Sequence, residues 1–434
     1  MFVHTLSDLT RRTPVVTDRF SAPQITRRNF GITTPNIKEH RMSSTRELKY
    51  TGKVKVATVQ AEPVILDADA TIDKAIGYIE EASKNGAEFI AFPEVWIPGY
   101  PYWAWIGDVK WAVSEFIPKY HENSLTLGDD RMRRLQLAAR QHNIAMVVGY
   151  SEKDGASRYL SQVFIDQNGD IVANRRKLKP THVERTIYGE GNGTDFLTHD
   201  FGFGRVGGLN CWEHFQPLSK YMMYSLNEQI HVASWPAMFA LTPDVHQLSV
   251  EANDTVTRSY AIEGQTFVLA ATHVIGKATQ DLFAGDDEAK RALLPLGQGW
   301  ARIYGPDGKS LAEPLAENAE GLLYAELDLE QIIVAKAAAD PAGHYSRPDV
   351  LSLKVDTRNH TPVQYVTEDG GSSLNSNSRV ENYRLRQLAD IEKYENADSA
   401  TVPLDVTTPE KQSGDVNANG NAKVNTNPSA KAKA

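Results

Sequence analysis

Cys211, the only cysteine of the chain, lies in a setting typical of an enzyme nucleophile. Residues 207–214 are Gly-Gly-Leu-Asn-Cys-Trp-Glu-His, so a small, apolar run ends on a thiol and a helix-compatible stretch follows. A sharp strand-to-helix turn exposes such a side chain, and the helix dipole favours its thiolate form. One cysteine excludes an internal disulfide and a multi-cysteine metal site. These residues alone leave a buried structural cysteine as the alternative.

Two further residues could complete the chemistry of a thiol nucleophile. Glu94 ends a predicted strand in residues 92–96 (Phe-Pro-Glu-Val-Trp), where apolar neighbours would raise its pKa and suit it to act as a base. Lys177, in the basic run 175–179, could hold developing negative charge and complete a set for covalent hydrolysis. Taken singly, Glu94 could instead cap a helix and Lys177 could belong to a solvated basic face. Lys179 would share the strand face of Lys177, so spacing does not separate the two lysines.

The elements that must position these groups alternate between strands and helices over about 50–356. Predicted strands are 53–59, 88–92, 144–148, 161–165, 171–174, 267–272, 299–304 and 321–326, and predicted helices include 67–85 and 131–140. Turn residues predict one hairpin at residues 168–169 (Asn-Gly) and another at residues 305–308 (Gly-Pro-Asp-Gly) that joins the last two strands. Alternating helices and strands with hairpins indicate an α/β layered domain with a mixed sheet.

Composition and charge exclude several classes of protein. Apolar residues make up 41% of the chain, which is enough for the core of one large or two medium domains. The net charge of −9 argues against a nucleic-acid partner, because such surfaces are usually basic. No apolar stretch approaches the ~20 residues that a membrane span needs. The lone cysteine fits a reducing compartment, so we expect a cytoplasmic protein.

Both ends of the chain differ from the middle. Residues 1–49 show no helical or alternating apolar period, so we expect a disordered N-terminal extension, and Met42 has the pattern of an alternative start. Residues 50–356 form the predicted catalytic domain. Residues 357–434 form a predicted C-terminal tail, disordered from about residue 400 because its composition buries too little apolar surface to offset the entropy of ordering.

Three separated motifs resemble the Glu-Lys-Cys signatures of the nitrilase superfamily of carbon-nitrogen hydrolases. They are Phe-Pro-Glu at 92–94, Arg-Lys-Leu-Lys-Pro-Thr-His-Val-Glu-Arg at 176–185 and Asn-Cys-Trp-Glu at 210–213. The resemblance covers about residues 52–356 and is strongest to the bacterial aliphatic nitrilases. It implies a four-layer α-β-β-α sandwich with neither a metal nor an organic cofactor.

The resemblance also implies roles for individual residues. Glu94 becomes the general base, Lys177 the oxyanion stabiliser and Cys211 the nucleophile. Lys177 is preferred to Lys179 because its place before Leu-Lys-Pro-Thr matches the family. Glu184 matches the second glutamate of the family, which positions the lysine.

These groups account for nitrile hydrolysis. Glu94 takes the thiol proton and later activates water, while Lys177 and the backbone N–H of Trp212 hold the charge that develops on nitrogen or oxygen. Addition of the thiolate gives a thioimidate, water addition and loss of ammonia give a thioester, and a second water releases the carboxylic acid. Expulsion of the thiol one step earlier would release an amide.

The aromatic loop at residues 98–105 bears on the substrate. We expect Trp103 of this loop to line a pocket with Trp212 and Trp235, which would give apolar area for an aliphatic carbon chain. Each ring could instead belong to the core or to an interface. Arylacetonitriles and cyanide are alternative substrates, and a non-catalytic, assembly-forming protein is the alternative of a different class.

The resemblance further implies a homodimer that assembles into a larger, spiral homo-oligomer, with a small nitrile and water as the other partners. A charged insertion at 281–296 and the tail around His344 and Tyr345 could supply the contacts. Contacts between unlike surfaces that do not close into a ring build open helices. Nucleic acid and membrane are not expected as partners.

Overall fold

The structure is a computed structural model. It describes residues 49–237 and 245–358, together with the backbone of two short strands at 365–366 and 372–373. Nearly all of the predicted N-terminal extension (1–49) and of the predicted C-terminal tail (357–434) lies outside the described residues, so their disorder stays a prediction.

Strands and helices alternate through the described chain. The strands are β1 (Lys53–Ala61), β2 (Phe89–Ala91), β3 (Ala145–Asp154), β4 (Ser157–Ile165), β5 (Ile171–Arg176), β6 (Thr198–Asp200), β7 (Arg205–Asn210), β8 (Ile230–Ser234), β9 (Phe267–His273), β10 (Arg302–Tyr304), β11 (Gly321–Asp328), β12 (Tyr365–Val366) and β13 (Ser372–Ser373). The helices are α1 (Ala68–Lys84), α2 (Trp103–Ile106), α3 (Val109–Glu115), α4 (Ile117–Glu122), α5 (Asp130–His142), α6 (Pro217–Ser225), α7 (Val250–Gly264), α8 (Lys277–Ala284), α9 (Glu288–Leu293) and α10 (Glu330–Ala339). Short 3₁₀ turns occupy His182–Thr186, Gly193–Asp195, Cys211–Phe215 and His246–Leu248. In the described part of the chain, no helix is long and apolar enough to cross a membrane.

The main sheet is mixed and has two halves. One half has the strand order β5-β4-β3-β2-β1, with β11 paired to β1, and the other has the order β9-β8-β7-β6, with β10 paired to β9. The halves are joined where the end of β1 pairs in parallel with the end of β9, through Gln60 with Thr272 and Ala61 with His273. This junction brings the carboxyl ends of strands from both halves to one region of the molecule.

The apolar clusters reveal the layers. A central cluster contains side chains of both halves, among them Val56 and Phe89 of the first and Val232 and Leu269 of the second, so the halves pack face to face. A second cluster joins the outer face of the first half to α1 and α5, and a third joins the outer face of the second half to α6 and α7. The predicted four-layer α-β-β-α sandwich is therefore confirmed.

Helix α1 shows how the sequence builds one of these layers. The Asp67 carboxylate accepts a hydrogen bond from the Ala70 N–H at 3.0 Å and thereby caps the helix. Ile72 and Ile79 lie on its buried face, and burial of each such side chain contributes about 1.5–3 kcal/mol. The helix predicted over 67–85 is confirmed to within a residue at each end.

Of the two predicted hairpins, the one at residues 168–169 is confirmed, because β4 and β5 pair antiparallel across it. The second is wrong as a pairing of the last two strands. Its turn does form, with the Gly308 N–H donating to the Gly305 oxygen at 2.8 Å and a bridge between Tyr304 and Ser310. However, β10 pairs with β9 whereas β11 pairs with β1. The turn sequence specifies a local reversal of the chain, but the buried partner of each strand is set by the sheet.

Candidate active site

Cys211 stands directly after β7, at a sharp turn of the backbone. Its φ angle is 46°, in the left-handed region that costs a non-glycine residue about 1–3 kcal/mol. The backbone N–H of Trp212 lowers the pKa of the neighbouring thiol. The predicted turn after the strand is therefore present, but a 3₁₀ turn replaces the expected helix, and α6 begins only at Pro217. The thiol thus lacks the direct dipole of an α-helix.

The thiol is buried, and its surroundings favour the protonated form. Burial raises the pKa of the Cys211 thiol well above its usual value, and the charge of Glu94 acts in the same direction. Lys177 and the Trp212 N–H oppose this effect without cancelling it. A nucleophilic thiolate therefore requires a nearby base to remove the proton.

Lys177 lies fully buried between two carboxylates. Its Nζ is 2.8 Å from Oε1 of Glu94 and 2.8 Å from Oε2 of Glu184. Burial alone would lower the pKa of the ammonium, but the charges of Glu184 and Glu94 outweigh it and raise the pKa. Lys177 therefore stays positively charged in an interior that would otherwise penalise the charge.

Glu94 has a raised pKa and one carboxylate oxygen without a hydrogen-bond partner among the described residues. Burial raises its pKa to about 8, with Lys177 opposing the rise and Glu184 adding to it. Its Oε1 accepts from Lys177, whereas its buried Oε2 has no hydrogen-bond partner among the described residues. The backbone is fixed as well, because the Glu94 N–H donates to the Trp235 oxygen at 3.2 Å and His273 Nε2 donates to the Glu94 oxygen at 2.8 Å. The unpaired Oε2 can accept a proton.

Glu184 is held by donors on both of its oxygens. Oε2 accepts from the Thr181 N–H at 2.6 Å as well as from Lys177, and Oε1 accepts from the Tyr100 hydroxyl at 2.6 Å. Sequence reasoning placed Tyr100 in an aromatic loop but did not predict this bond. An aromatic pattern shows where rings gather and says nothing of which carboxylate a hydroxyl reaches.

The structure separates the two lysines that strand parity left equivalent. Because β5 ends at Arg176, the alternation of strand faces no longer applies to the residues beyond it. Lys177 turns into the interior, whereas the Lys179 side chain is 59% exposed and pairs with Glu190 at the surface. Only Lys177 contacts the buried carboxylates.

Glu213 connects the loop of the lysine to the loop of the cysteine. Its Oε1 accepts from Arg175 at 2.7 Å and from the Leu178 N–H at 2.9 Å, and its Oε2 accepts from the Asn210 N–H at 2.8 Å. Burial would raise its pKa, but Arg175 and these N–H groups outweigh burial and lower it, so the carboxylate stays charged. Glu213 lies two residues after Cys211 in the sequence. No sequence pattern predicts that it connects the cysteine loop to the lysine loop.

A pocket with about 420 Å³ of empty space, part of it open to solvent, adjoins these groups. Its polar lining includes Glu184, Cys211 and Asn253, and the Asn253 oxygen accepts from the Trp212 ring nitrogen at 3.2 Å. Its remaining lining residues are Tyr100, Trp105, Thr181, Trp212, Trp235, Pro236, Ala237 and Leu248. Aromatic and aliphatic side chains therefore make up most of the wall.

The structure places two of the three predicted aromatic residues at this pocket. Trp212 and Trp235 line it, but Trp103 does not: it is buried in a neighbouring apolar cluster and stacks on Phe116 with a centroid separation of 5.3 Å. Trp105 lines the pocket instead. Residues two apart in a helix point to nearly opposite sides, so α2 can direct only one of the two rings to the pocket.

The structure thus brings the four predicted polar residues together. Glu94, Lys177 and Glu184 are in direct contact, and the charges of all three act on the thiol of Cys211. No group of three His, Cys, Asp or Glu side chains in residues 49–237 and 245–358 could hold a metal ion.

The four-layer sandwich has a pocket lined by Cys211 and Glu184, and Lys177 joins Glu184 to the buried Glu94. This arrangement is typical of a hydrolase with a thiol nucleophile, and comparison with known proteins gives the family. A sequence model described as carbon-nitrogen hydrolase matches residues 55–337. An aliphatic nitrilase of Rhodococcus rhodochrous is 94% identical over 364 residues, which are 84% of this chain and 95% of that protein. A second aliphatic nitrilase of Rhodococcus rhodochrous is 56% identical over 316 residues, covering 73% of this chain and 86% of the relative. The chain belongs to the carbon-nitrogen hydrolase family, within the nitrilase superfamily.

A solved structure agrees on the fold. The carbon-nitrogen hydrolase from Helicobacter pylori G27 aligns with a TM-score of 0.56 at 19% identity, covering 69% of this chain and 97% of that one. At this identity the likeness concerns the fold alone.

Proposed function

We propose that this chain hydrolyses aliphatic nitriles to the carboxylic acid and ammonia, with Cys211 as the nucleophile. The observation that carries the proposal is the buried Lys177, held between Glu94 and Glu184 beside the only thiol of the chain. The high identity to a relative named as an aliphatic nitrilase supports the choice of substrate.

The first half of the reaction forms a covalent thioimidate. Oε2 of Glu94 takes the proton of the Cys211 thiol, and the sulfur adds to the nitrile carbon as one carbon–nitrogen π bond breaks. The nitrogen gains negative charge, which the Lys177 ammonium stabilises before the nitrogen is protonated. The Trp212 N–H, which lowers the pKa of the thiol, stabilises the thiolate that precedes attack.

The second half returns the thiol. Glu94 activates a water that adds to the thioimidate carbon, and the tetrahedral intermediate expels ammonia to leave a thioester. A second water attacks the thioester, releases the carboxylic acid and restores the proton to sulfur. One nitrile and two waters thus give one acid and one ammonia. Loss of the thiol from the first tetrahedral intermediate would give the amide instead.

The pocket favours a carbon chain over cyanide as substrate. The apolar part of the pocket wall consists of Trp212, Trp235, Ala237 and Leu248. A carbon chain would contact this wall, whereas cyanide is too small to cover it. A panel of aliphatic nitriles, arylacetonitriles, benzonitrile and cyanide, with ammonia, acid and amide quantified, tests the proposal. We expect acid and ammonia as main products and the fastest turnover with aliphatic nitriles. Faster turnover of cyanide than of every organic nitrile, or amide as the main product, would contradict it.

We also propose that the enzyme acts as a homodimer that assembles into a larger homo-oligomer of spiral form. Large apolar side chains on α10 and the segment after it support this: Val334 is 75% exposed, Tyr345 70% and Leu351 78%. Exposed apolar side chains of this size favour a contact with a second copy of the chain along this segment. Because a catalytic thiol must stay reduced, we propose the reducing cytoplasm as the place where the enzyme acts.

A further inference from the structure

A chain of buried polar side chains begins at the backbone oxygen of the nucleophile, Cys211. Nδ1 of His214 is 2.6 Å from the Cys211 oxygen, and its Nε2 is 2.9 Å from Nε2 of His231. Nδ1 of His231 is 2.8 Å from Oε1 of Glu228, whose Oε2 accepts from the Tyr260 hydroxyl at 2.5 Å. All of these side chains are buried. The mechanism above uses none of them.

The geometry fixes the direction of the hydrogen bonds. A carbonyl oxygen can only accept, so Nδ1 of His214 must carry a hydrogen and donate it to Cys211. A neutral His214 then accepts at Nε2, so His231 must donate from its own Nε2. His231 either receives a hydrogen bond from a protonated Glu228 or carries that proton itself. In the first case every bond from Glu228 to the Cys211 carbonyl donates toward the nucleophile. In the second case His231 donates to Glu228 as well, and only the bonds from His231 onward donate toward the nucleophile.

The proton affinities of the groups agree with a neutral chain. Burial lowers the pKa of His214, with a further contribution from His231, and burial followed by Arg175 lowers the pKa of His231. Burial raises the pKa of Glu228 to about 8, so this carboxyl group is largely protonated at neutral pH.

The charged groups that act on the chain from its surroundings belong to several packed elements. They are Arg175, Glu213, Lys220 and Lys336. Three of the four are positive, which disfavours a cation on either histidine.

The backbone around the chain is shaped to admit it. A Cβ atom on Gly207 of β7 would lie 2.2 Å from Oε1 of Glu228, so only glycine leaves room for this carboxyl group. The His231 ring stacks on Tyr260 with a centroid separation of 3.7 Å, and the His214 ring stacks on Trp235 at 5.2 Å. Burying so many polar groups is unfavourable unless each finds a partner, and here they are satisfied in series.

We propose that Glu228, His231 and His214 form a one-way hydrogen-bond relay that polarises the Cys211–Trp212 peptide group. The Cys211 carbonyl and the Trp212 N–H belong to the same peptide, so a donor on the oxygen strengthens the N–H as a donor. That N–H also acts on the neighbouring sulfur, because it lowers the pKa of the Cys211 thiol. The relay therefore stabilises the thiolate through the Cys211–Trp212 peptide group. Its members are positioning residues because they do not contact the reacting atoms themselves. The inference rests on the proposed function only in taking Cys211 as the nucleophile.

The test compares two replacements of Glu228. Glu228→Gln keeps an N–H that can donate to His231 and an oxygen that can accept from Tyr260, so the relay stays intact. Glu228→Leu has a similar volume but no donor, so the relay loses its origin. Glu263→Gln, at a carboxylate of α7 that bonds Lys220 and Tyr224, is the matched control outside the relay. The readout is the pH dependence of alkylation by iodoacetamide, which is unambiguous because the chain has one cysteine.

We expect Glu228→Leu to move the midpoint of the alkylation profile up by about half a pH unit and to lower kcat about threefold with little change in KM. Glu228→Gln and Glu263→Gln should keep the wild-type midpoint. A merely structural role would lower the melting temperature and leave the midpoint in place. If Glu228→Leu does not fold, two replacements of His231 are compared instead. His231→Phe keeps an aromatic ring but no donor, so the midpoint should rise. His231→Gln keeps a donor, so the midpoint should stay at the wild-type value.

Two results would overturn the relay. One is a folded donor-free variant with the wild-type midpoint, and the other is an equal shift in the donor-keeping and donor-free variants. Alkylation needs no nitrile turnover, so the two proposals fail separately. A wild-type protein that alkylates at Cys211 but hydrolyses no nitrile would refute the proposed function and leave the relay testable.

Discussion

At the scale of single residues, the proposed reaction depends on a protonated thiol, Cys211, and on a base, Glu94. The pKa of each is raised above its usual value. Burial raises the pKa of both Cys211 and Glu94, and Lys177 opposes the rise in each case. A carboxylate with an ordinary pKa would be a weak base toward such a thiol. The buried ammonium limits the rise, so that Glu94 loses its proton at about pH 8.

The raised pKa of Glu94 predicts the pH dependence of activity. Glu94 accepts a proton only when it is deprotonated, so kcat/KM should rise with pH to a midpoint near its pKa of about 8. The charge of Glu184 raises the pKa of both Glu94 and Cys211, so Glu184→Gln should move this midpoint to lower pH by about one unit. The same variant should reduce kcat at least about tenfold because Lys177 loses the negative charge of one of its two partners. A midpoint that moves to higher pH in Glu184→Gln would refute this electrostatic explanation.

The contrast between the two lysines gives a second prediction. Lys177→Ala should reduce kcat on the order of a thousandfold, because it removes the buried charge that stabilises the anionic intermediates. It should also destabilise the fold by about 3–5 kcal/mol, since Glu94 and Glu184 would face each other without a cation. Lys179→Ala, which removes an exposed pair, should keep activity within about twofold. Steady-state kinetics and chemical denaturation of both variants check this, and a greater loss of activity in Lys179→Ala would show that the assignment is wrong.

The sequence predicted the polar residues of the site better than its aromatic ones. Glu94, Lys177 and Cys211 each follow a strand, and strand ends can be located from apolar runs and turn residues. The sequence predicts Trp103 at the pocket, but Trp105 lines it instead. A helix of four residues is too short for its sequence to show which face is buried. The hydroxyl of Tyr100 reaches Glu184 from a distant part of the chain, and no local pattern encodes such a contact.

At the scale of elements, the loops after β5 and β7 are held together by one carboxylate. Glu213 accepts from Arg175, Leu178 and Asn210, so it fixes the separation of the lysine loop and the cysteine loop. Positioning errors of about 1 Å can reduce catalysis by two orders of magnitude. We therefore expect Glu213 to affect catalysis through the relative position of the two loops.

Glu213→Gln tests this element-scale role. An amide nitrogen cannot accept a hydrogen bond, so at least one of the three buried donors would lose its partner, at about 2 kcal/mol. We expect the melting temperature to fall by roughly 5 °C and kcat to fall about tenfold or more. Glu326→Gln, at an exposed carboxylate that pairs with Lys53, is the control and should change neither quantity measurably. A Glu213→Gln variant with wild-type stability and kcat would show that the clamp has no such role.

The elements also show where sequence patterns fail. Helix α1 was predictable because its period persists over 17 residues and a cap precedes it. The partners of β10 and β11 were not, because the turn between them is local whereas their neighbours β9 and β1 lie far away in the chain. The short helices α2 to α4 each contain too few residues for a periodic signal to emerge.

At the scale of the whole molecule, exposed apolar residues after the sandwich support self-assembly. Val334→Asp with Leu351→Asp should place two charges in the proposed contact and lower the assembly mass to that of a dimer or less. Leu137→Asp, at a 47% exposed apolar residue of α5, is the control and should leave the mass unchanged. Light scattering coupled to size-exclusion chromatography measures the mass, and circular dichroism verifies the fold. An unchanged mass in the double variant would place the contacts elsewhere.

The measurement that tests the central claim most directly is the intact mass of the protein, quenched in acid during turnover of an aliphatic nitrile. Because the chain has a single cysteine, we predict one covalent adduct per chain with the mass of the thioimidate or acyl group, located on the peptide that contains Cys211. One equivalent of iodoacetamide should prevent both the adduct and ammonia release. Cys211→Ala should show neither adduct nor hydrolysis, a loss of several orders of magnitude in rate. Sustained nitrile hydrolysis by Cys211→Ala, or turnover that continues after the thiol is fully alkylated, would contradict the claim that Cys211 is the nucleophile.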